Sequence, residues 1–528
     1  MLCIRCGDPA VSRWDNGRPM HLTLVRPPMV LSRLAHTTPT CPPIGLAYLA
    51  GSARAAGHDV GIVDAVGEDI FRYEPRGAKF LVHGLPAETV VARIPRNTDA
   101  VGISIMFSHE FPAARDLIQR IREAHPTLPI IAGGEHVNAV AEDTLRAAPA
   151  IDAAVTGEGE ETLTDVLTAI ASGKSLEGIA GTVVRSGDRF VAGPPRRRIA
   201  AIDAIPEPAW DLTPISAYLD NEKGFGVNRG RSMPVLATRG CPYQCTFCSS
   251  PAMWTTRWIA RDPEKLLAEM ERHLALYAID NFDFYDLTAI VKRDWIVKFC
   301  RLVIDRKHRF TWQLPSGTRS EAIDSEVCEL LYASGCRNVS YAPESGSAPV
   351  LARIKKKVRV DRMTASMKSA VKNRLNVKAN ILLGFPGESR REMWQSLGFV
   401  GRMALLGLHD VSICSFSPYP GSELFEDLRG AGRIPELTDA YYENLACYTD
   451  VSGATSWSEN VGGRELALYR IAGMLAFYGL SFASRPWRLL RLGWNVARSR
   501  QDSRLEMSLV DMLSRLTAAS RTAAGRAT

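Results

Sequence analysis

The chain has 528 residues, of which 46% are hydrophobic and 23% charged, the composition of a soluble globular protein with room for about three domains. This composition excludes a collagen-like, disordered or coiled-coil chain. Eleven cysteines are too few and too unevenly spaced for a secreted disulfide scaffold, and residues 1–9 lack the apolar run of an export signal. We therefore expect a cytoplasmic protein whose thiols are free to bind metal.

The formal net charge of +7 is concentrated at the C-terminal end of the chain. Residues 485–528 hold nine arginines, no lysine and three acidic residues, so this segment carries +6 of the total. The rest of the chain is close to neutral and lacks the broad basic surface that nucleic-acid binding requires. We expect no nucleic-acid partner.

After an N-terminal tail (1–20), apolar segments alternate with helical patterns over residues 21–195. Strands are predicted at 21–26, 60–64, 100–105, 129–132 and 153–156, and helices at 43–56, at about 112–123 and from 161. The last two strands lead into glycines, which let the backbone approach a ligand closely. The pattern predicts a doubly wound parallel α/β unit with its ligand loops at the carboxyl ends of the strands.

A second α/β series follows residues 196–231, which are rich in arginine and proline and are predicted to be a linker with its arginines in solvent. The strands of this series are predicted at 235–238, 282–285, 311–314, 338–341, 378–383 and 411–416. Six βα units predict a six-stranded partial barrel over residues 232–435, open on one side. A helical region over residues 436–528 follows it.

Three cysteines, Cys241, Cys245 and Cys248, lie in the loop after the first predicted barrel strand. Thiols at this spacing can converge on one metal centre. Structural zinc normally takes four protein ligands, and the next cysteine in the sequence is Cys300. A 4Fe-4S cluster held by three cysteines leaves one iron without a protein ligand and open to chemistry. We therefore favour a 4Fe-4S cluster over zinc.

The spacing Cys-x3-Cys-x2-Cys, with an aromatic residue before the last cysteine, closely resembles the radical S-adenosylmethionine (SAM) superfamily. The resemblance implies that the three cysteines hold a 4Fe-4S cluster whose open iron chelates SAM. One electron from the cluster would then cleave the sulfonium to give a 5′-deoxyadenosyl radical. The resemblance further implies a set of SAM contacts at the strand ends: Phe247, Arg319, Glu344, Ser345, Gly384 and Pro386.

No general base stands out in the sequence. Four residues lie at strand ends near the barrel mouth and could contact substrate or transfer a proton: Asp283, Tyr285, Asp286 and Tyr341. An ordinary structural role is the alternative for each of them.

The doubly wound unit ahead of the barrel resembles the domain of cobalamin-binding radical SAM enzymes, through residues 41–49, 102–105, 132–134 and 156–162. The resemblance implies a Rossmann-like cobalamin-binding domain with contacts from Ser104, Gly133, Gly134, Gly157 and Thr162. Many cobalamin domains supply a histidine to cobalt through Asp-x-His-x-x-Gly. Here His58 is followed by Gly61, but residue 56 is alanine, so we expect no lower histidine ligand.

The C-terminal region contains fourteen uncharged residues (471–484), too few to span a bilayer. A helix pattern follows, in which Trp487, Leu490 and Trp494 form one stripe and Arg488, Arg491 and Arg498 a neighbouring one. The pattern fits an interfacial helix peripheral to the inner membrane face, which would suggest an apolar or lipid-like substrate. It fits equally a helix docked on the barrel with its arginines in water.

Taken together, the resemblance covers residues 21 to about 435 and implies a cobalamin-dependent radical SAM enzyme. The favoured activity is methylation of an unactivated carbon through methylcobalamin and the 5′-deoxyadenosyl radical, with a small-molecule substrate and a reductant such as flavodoxin or ferredoxin as partners. The alternatives are a radical cyclase or other oxidative ring-forming enzyme, and a non-catalytic cobalamin-binding protein. The intact cysteine triplet argues against the last of these.

Overall fold

Two α/β units and a helical C-terminal region make up the protein, for which a computed structural model describes residues 18–35, 39–319, 321–450, 455–498 and 500–510. The predicted fold class, a Rossmann-like unit followed by a partial barrel and a helical region, is confirmed.

The first unit contains a seven-stranded sheet and a three-stranded sheet. Their strands are β1 (His21–Arg26), β2 (Met29–Ser32), β3 (Asp59–Asp64), β4 (Tyr73–Arg76), β5 (Phe80–His83), β6 (Ala100–Ser104), β7 (Ile130–Gly133), β8 (Ala153–Val155), β9 (Thr182–Ser186) and β10 (Arg189–Ala192). The large sheet has the order β10-β9-β8-β7-β6-β1-β3, in which the five strands from β8 to β3 are parallel. Those five are the predicted ones. The others, β2, β4, β5, β9 and β10, are short antiparallel strands that the sequence pattern did not indicate.

Helices cover both faces of the large sheet, as expected for a doubly wound unit. They are α1 (Ile44–Ala55), α2 (Ala65–Glu68), α3 (Ala87–Arg93), α4 (Phe111–Ala124), α5 (Glu135–Ala139), α6 (Ala141–Ala147) and α7 (Gly159–Ala171). Successive side chains of a strand point to opposite faces. Leu22 and Leu24 of β1 accordingly pack in the core beneath α1 and α7, while Val25 packs in the core beneath α3 and α4.

The second unit is a six-stranded parallel sheet of order β11-β14-β15-β16-β17-β18. Its region contains β11 (Ser232–Val235), β12 (Thr238–Arg239), β13 (Ile259–Ala260), β14 (Asn281–Phe284), β15 (Thr311–Thr318), β16 (Cys336–Glu344), β17 (Asn376–Leu383) and β18 (Asp410–Ser415). The first predicted strand, 235–238, divides in two. β11 starts at Ser232, and Thr238 belongs to β12, which pairs with β13 outside the barrel.

The helices that follow in the chain surround the barrel and form the C-terminal region. They are α8 (Ile215–Asp220), α9 (Ser250–Trp254), α10 (Pro263–Tyr277), α11 (Arg293–Asp305), α12 (Ser325–Ala333), α13 (Ala348–Arg353), α14 (Val360–Lys372), α15 (Arg390–Leu406), α16 (Glu423–Gly430), α17 (Asp439–Leu445), α18 (Gly463–Ser484) and α19 (Trp487–Ala497). In β17, the side chains of Val377, Ala379 and Ile381 are buried in the barrel's hydrophobic core. Lys378 and Asn380, which alternate with them, are only partly buried, so one face of this strand packs in the core.

Residues 196–231 are packed structure rather than a solvated linker. Trp210 and Tyr218 are fully buried, and the Tyr218 hydroxyl donates to Asp64 in the first unit at 2.6 Å. Arg198 is also buried, with 7% of its side chain exposed, because it pairs with Glu158 at 2.8 Å. The expectation that the arginines of this segment lie in solvent is wrong for Arg196 and Arg198, since both find carboxylate partners on the first unit.

The C-terminal region closes the barrel. Helix α18 packs along α15 and β18. Among the described residues it is the one helix long and apolar enough to span a bilayer, and 33% of its most apolar stretch is buried within the protein. Downstream, the Asp502 carbonyl accepts from Asn338 and Asn376 at 3.0 and 3.1 Å, and Asp410 accepts from the Arg504 amide at 2.8 Å. These three partners lie at or near the amino-terminal ends of β16, β17 and β18, so the tail covers the base of the barrel.

A buried ion-pair network joins the two α/β units. Arg239 in β12 pairs with Glu158 at 3.0 Å, in the loop that follows β8, and with Glu160 at 2.5 Å, in the first turn of α7. Glu158 also accepts from Arg198, and its side chain is 1% exposed. Because buried charges are tolerated only when paired, this network fixes how the loop after β8 faces the segment that begins two residues before Cys241.

Replacing Arg239 by glutamine should lower the free energy of unfolding by about 3 kcal/mol, because it leaves Glu160 buried without its cation. The matched control is Arg54→Gln, which breaks a pair with Asp211 whose side chains are 48% and 57% exposed and should cost under about 1 kcal/mol. Urea unfolding followed by tryptophan fluorescence measures both, and equal losses would contradict the role given to the network.

Candidate functional site

The cysteine loop runs from β12 to α9 and begins with a turn that only glycine fits. Gly240 has φ +84°, and a Cβ there would lie 2.4 Å from the Arg257 carbonyl oxygen. The thiols of Cys241, Cys245 and Cys248 are free and partly buried. Across the described part of the chain, no three His, Cys, Asp or Glu side chains converge closely enough to hold a single metal ion. The three thiols lie in one loop, and in a 4Fe-4S cluster each would ligate a different iron and leave the fourth iron open.

Two buried cations face these thiols. Burial raises the pKa of Cys241 and Cys245, and the charges of Lys356 and Arg319 oppose that shift. Burial also raises the pKa of Cys248, to about 12. Since metal ligation requires thiolates, the neighbouring cations stabilise the form that a cluster needs.

Lys356 connects the cysteine loop to the end of β16. Its ammonium pairs with Glu344 at 2.9 Å, and both side chains are less than 10% exposed. Burial would lower the pKa of Lys356, but Glu344 and Cys245 beside it raise that pKa overall. Lys356 also lies 5.9 Å from the centroid of the Phe247 ring. The sequence did not single out Lys356, because a run of three lysines normally indicates a solvated loop.

Glu344 adopts φ +65° at the last position of β16. This left-handed conformation is costly for a residue with a Cβ and occurs mainly where the surrounding structure enforces it. The strained turn holds the carboxylate at the carboxyl edge of the barrel. Ser345, its predicted partner, is fully buried and exchanges a hydrogen bond with Ser396 at 2.9 Å, so its hydroxyl is already engaged within the protein.

Arg319 follows β15 and is 5% exposed. Its guanidinium stacks at 3.6 Å from the centroid of the Tyr243 ring in the cysteine loop, and it pairs with Glu321 at 2.8 Å. Its Nη1 atom is buried without a hydrogen-bond partner in the protein. Buried donors are normally paired, so this atom is available to a ligand carboxylate or carbonyl.

The predicted turn at Gly384 and Pro386 is held by a carboxylate. The Glu388 side chain accepts from the amides of Gly384 and Phe385 at 2.7 and 3.1 Å, while its second oxygen is buried without a partner. Burial raises the pKa of Glu388 to about 7 against the effect of these two bonds. The Phe385 ring lies 5.7 Å from Phe247, which brings this turn next to the cysteine loop.

A cavity of about 910 Å³ lies between the carboxyl edge of the large sheet and the cysteine-loop region. Its walls include four predicted contacts, Ser104, Gly133, Gly134 and Gly157. They also include Arg239, Met253 and Trp254, which flank the cysteine loop. One cavity is therefore built by both units.

Glycines leave this cavity open where side chains would fill it. A Cβ at Gly45 or Gly157 would meet nothing within 4 Å, and one at Gly133 would touch only Val155, at 3.8 Å. Most of the remaining walls are apolar, so the cavity suits a large flat ligand such as a corrin ring. Thr162 does not line it, because its buried hydroxyl lies between Arg196 and the Ala180 carbonyl. His58 lies at the amino-terminal end of β3, whereas this cavity lies at the carboxyl ends of the strands.

A second cavity of about 1530 Å³ adjoins the first and shares Gly45, Leu46, Ser104 and Met106 with it. It extends between the first unit, the barrel and the segment after α17. Aromatic side chains supply much of its wall: Phe107, Phe225, Tyr285, Tyr419 and Tyr448.

Of the four residues predicted to contact substrate or transfer a proton, Tyr285 lines this second cavity and the other three do not. Asp286 accepts from the Ala237 and Thr238 amides and holds the entry to β12. Asp283 accepts from Gly226, Asn281 and Gln313. Tyr341 is fully buried, with its hydroxyl 2.8 Å from Ser366 on α14. For Asp283, Asp286 and Tyr341, the structure thus shows internal hydrogen bonds.

Two protein families match the chain, one over each unit. The B12 binding domain family matches residues 32–167, and the radical SAM superfamily matches residues 235–400. The chain is a radical SAM enzyme with an N-terminal B12-binding domain. The first match contains the glycines that line the smaller cavity, and the second contains the cysteine loop.

Relatives and solved structures with the same organisation include methyltransferases. An uncharacterized methyltransferase of Pyrococcus horikoshii is 29% identical over 77% of this chain and 83% of its own length. The anaerobic magnesium-protoporphyrin IX monomethyl ester cyclase of Rubrivivax gelatinosus is 26% identical over 73% of this chain and 66% of its own length. The radical SAM methyltransferase TsrM of Kitasatospora setae, solved with cobalamin and a [4Fe-4S] cluster, superposes with a TM-score of 0.63 and 16% identity over 88% of this chain and 89% of that one. This last likeness shows a shared fold.

Replacing Gly133 by valine should reduce the cobalamin bound per chain at least about tenfold, because the added methyl groups occupy the wall of the smaller cavity. The control is Gly61→Val, another strand glycine whose Cβ would meet nothing within 4 Å and which faces solvent. Both variants are loaded with cobalamin, desalted and measured by absorbance. Full retention by Gly133→Val would show that cobalamin binds elsewhere.

Proposed function

We propose that this radical SAM enzyme is a cobalamin-dependent methyltransferase that methylates an unactivated carbon of a small molecule held in the larger cavity. The observation that carries the proposal is the continuity of the two cavities. The smaller one suits cobalamin and reaches the residues that flank the cysteine loop, and the larger one opens from it between both units. A substrate there would lie between the two cofactor sites.

Each cofactor site has its own residues in this proposal. Cys241, Cys245 and Cys248 would hold the cluster, and Lys356 would balance the charge of the thiolates. When bound, the cluster supplies an electron and an open iron for SAM, and cobalamin supplies a carrier for the methyl group. A one-electron protein reductant such as flavodoxin or ferredoxin would be needed to recharge the cluster.

The SAM contacts proposed here lie around the cysteine loop, and one of them, Arg319, has a buried donor without a partner. The free Nη1 of Arg319 would donate to the carboxylate of SAM, and Phe247 would pack against its adenine. Glu344 stands at the strained strand end where it can accept from ribose hydroxyls. The turn at Gly384 and Pro386 would bring backbone to the ligand. Ser345 would act by bonding Ser396, which positions the loop after Glu344.

A ring-forming reaction with the same cofactors is the second candidate. It is favoured by the similarity to the Rubrivivax cyclase and by the size of the larger cavity. The two reactions differ in their SAM products. Methylation consumes one SAM as methyl donor and gives S-adenosylhomocysteine, while a second SAM is reduced to methionine and 5′-deoxyadenosine as the substrate loses a hydrogen atom. Ring formation gives 5′-deoxyadenosine without S-adenosylhomocysteine.

Protein reconstituted with iron, sulfide and cobalamin should release S-adenosylhomocysteine and 5′-deoxyadenosine in equal amounts when SAM, dithionite and substrate are supplied without oxygen. Cys245→Ala should lose both products, whereas Cys300→Ala, which alters a buried thiol on α11, should keep them. Liquid chromatography measures the products. Formation of 5′-deoxyadenosine by Cys245→Ala would contradict the cluster assignment, and 5′-deoxyadenosine alone in the wild type would favour ring formation.

We also propose that the outer face of α19 contacts an anionic lipid surface. The helix docks on the barrel through Arg488, which donates to the Gly407 and Leu408 carbonyls, just past the end of α15, at 2.7 Å. The expectation that a docked helix would keep all its arginines in water is therefore wrong for Arg488. The apolar stripe of α19 faces solvent instead. Trp487, Leu490 and Trp494 are 61%, 78% and 58% exposed. Exposed arginines beside them, Arg491, Arg498 and Arg500, complement acidic headgroups.

The full-length protein should sediment with phosphatidylglycerol vesicles at low salt and much less with phosphatidylcholine vesicles. The double change Trp487→Ser and Leu490→Ser should abolish sedimentation because it removes the apolar face of α19. Leu276→Ser, which removes a 71% exposed leucine from α10, is the control. Failure of the wild-type protein to bind either vesicle would refute lipid contact.

A further inference from the structure

The larger cavity contains one acidic side chain that the proposed chemistry leaves without a role. Glu110 ends the short helical turn Ser108–Glu110 and lines the cavity between the two units. Among the residues that the structure describes, none forms an ion pair with its carboxylate. A carboxylate in a mostly apolar cavity is costly unless a cation or a hydrogen-bond donor pairs with it.

The other charged group of this cavity is already engaged. Arg26 donates to the Cys41 carbonyl at 2.7 Å and to the Tyr218 hydroxyl at 2.6 Å, and its guanidinium lies 3.5 Å from Asp64. These contacts engage the guanidinium with other partners, and its charge acts on Glu110 without an ion pair between the two groups. Among the described residues, Glu110 therefore has no directly bonded counter-ion.

Aromatic rings share the cavity wall with Glu110. Tyr419 and Tyr448 meet edge to face, with ring centroids 6.3 Å apart, and the Glu110 charge is close enough to Tyr419 to raise the pKa of its hydroxyl further above the ordinary range. Phe107 stacks on His109 at 5.6 Å beside them. Carboxylates and aromatic faces together are the groups that attract organic ammonium ions.

We propose that Glu110, Tyr419 and Tyr448 form a subsite for a cationic amino group carried by a substrate with an apolar body. This assignment rests on the proposed function insofar as it makes the larger cavity the substrate site. It narrows the substrate class to amphipathic amines, whose apolar part fills the remaining wall and whose ammonium group takes the place of the missing counter-ion.

The ionisation of Glu110 gives the subsite a pH signature. Burial raises the pKa of Glu110 to about 7, although Arg26 and the Phe107 amide oppose the shift. The carboxylate is therefore present above pH 7 and lost below it, so affinity for a cation should rise between pH 6 and pH 8.

Among the described residues that line this cavity, we expect no other group to titrate between pH 6 and pH 8. Burial lowers the pKa of His109, on the same turn, to about 4, so this imidazole stays neutral. Across the cavity, burial raises the pKa of Cys41 to about 11 and that of Tyr448 to about 12, and it holds those of Tyr285 and Tyr419 well above 10. Arg26 stays charged throughout.

The test uses three matched probes with the full-length protein: 4-phenylbutylamine, 4-phenylbutan-1-ol and 4-phenylbutyrate. At pH 8 the amine should bind about tenfold more tightly than the alcohol, and the carboxylate least tightly, as measured by ligand-observed NMR titration. Glu110→Gln should remove the preference for the amine and its pH dependence. Tyr448→Leu should weaken binding of the amine but keep the pH dependence, and Glu123→Gln, an exposed change on α4, should have no effect.

Equal binding of amine and alcohol by the wild type would overturn the proposal, as would an unchanged amine preference in Glu110→Gln. The glutamine variant is nearly isosteric, so it keeps the volume and the amide contacts of the turn. Because binding is measured without turnover, loss of the amine preference says nothing against methyl transfer. Absence of methyl transfer would likewise leave the binding result intact.

Discussion

The pairing of Arg239 with Glu158 and Glu160 is the interaction on which the rest of the site depends. Glu158 belongs to the loop after β8 and Glu160 to the first turn of α7, and the arginine immediately precedes the turn at Gly240 that opens the cysteine loop. Separating these three charges while they stay buried is costly, because each would be left without its partner. The relative position of the B12-binding domain and the cysteine loop is thus set by electrostatics rather than by a flexible connection.

The same principle organises the remainder of the site. Lys356 and Glu344 neutralise each other next to Cys245, and Glu388 is bonded by two backbone amides at the end of β17. Charged groups that would otherwise draw water into the barrel mouth are therefore paired. Reactive radicals require such exclusion of water and of competing hydrogen donors. The few groups left unpaired, such as Nη1 of Arg319, lie where a ligand would replace the solvent.

Local sequence patterns were sufficient for the parallel strands and for the cysteine loop, because both depend on neighbours within a few residues. They were insufficient wherever burial of a charge depends on a distant partner. Arg198 in a run of three arginines and Lys356 in a run of three lysines look solvated, yet each is buried by a carboxylate from elsewhere in the fold. The outward-facing apolar stripe of α19 has the same origin, since Arg488 finds backbone carbonyls at the end of α15. Glu110 shows no local signal, because its cavity is formed by three separate parts of the chain.

The cover over the barrel base has a consequence for how the protein is made. Asn338, Asn376 and Asp410, at or near the amino-terminal ends of β16, β17 and β18, bond to Asp502 and to the amide of Arg504. During synthesis, Glu158 and Glu160 leave the ribosome some eighty residues before Arg239, and the base stays open until nearly all of the described chain has followed. Domains generally fold in the order of their translation. We therefore expect the nascent chain to pass through a stage in which the first domain is folded but its acidic loop is still solvated, so that a ribosome stalled before residue 500 would carry a barrel open to water from below.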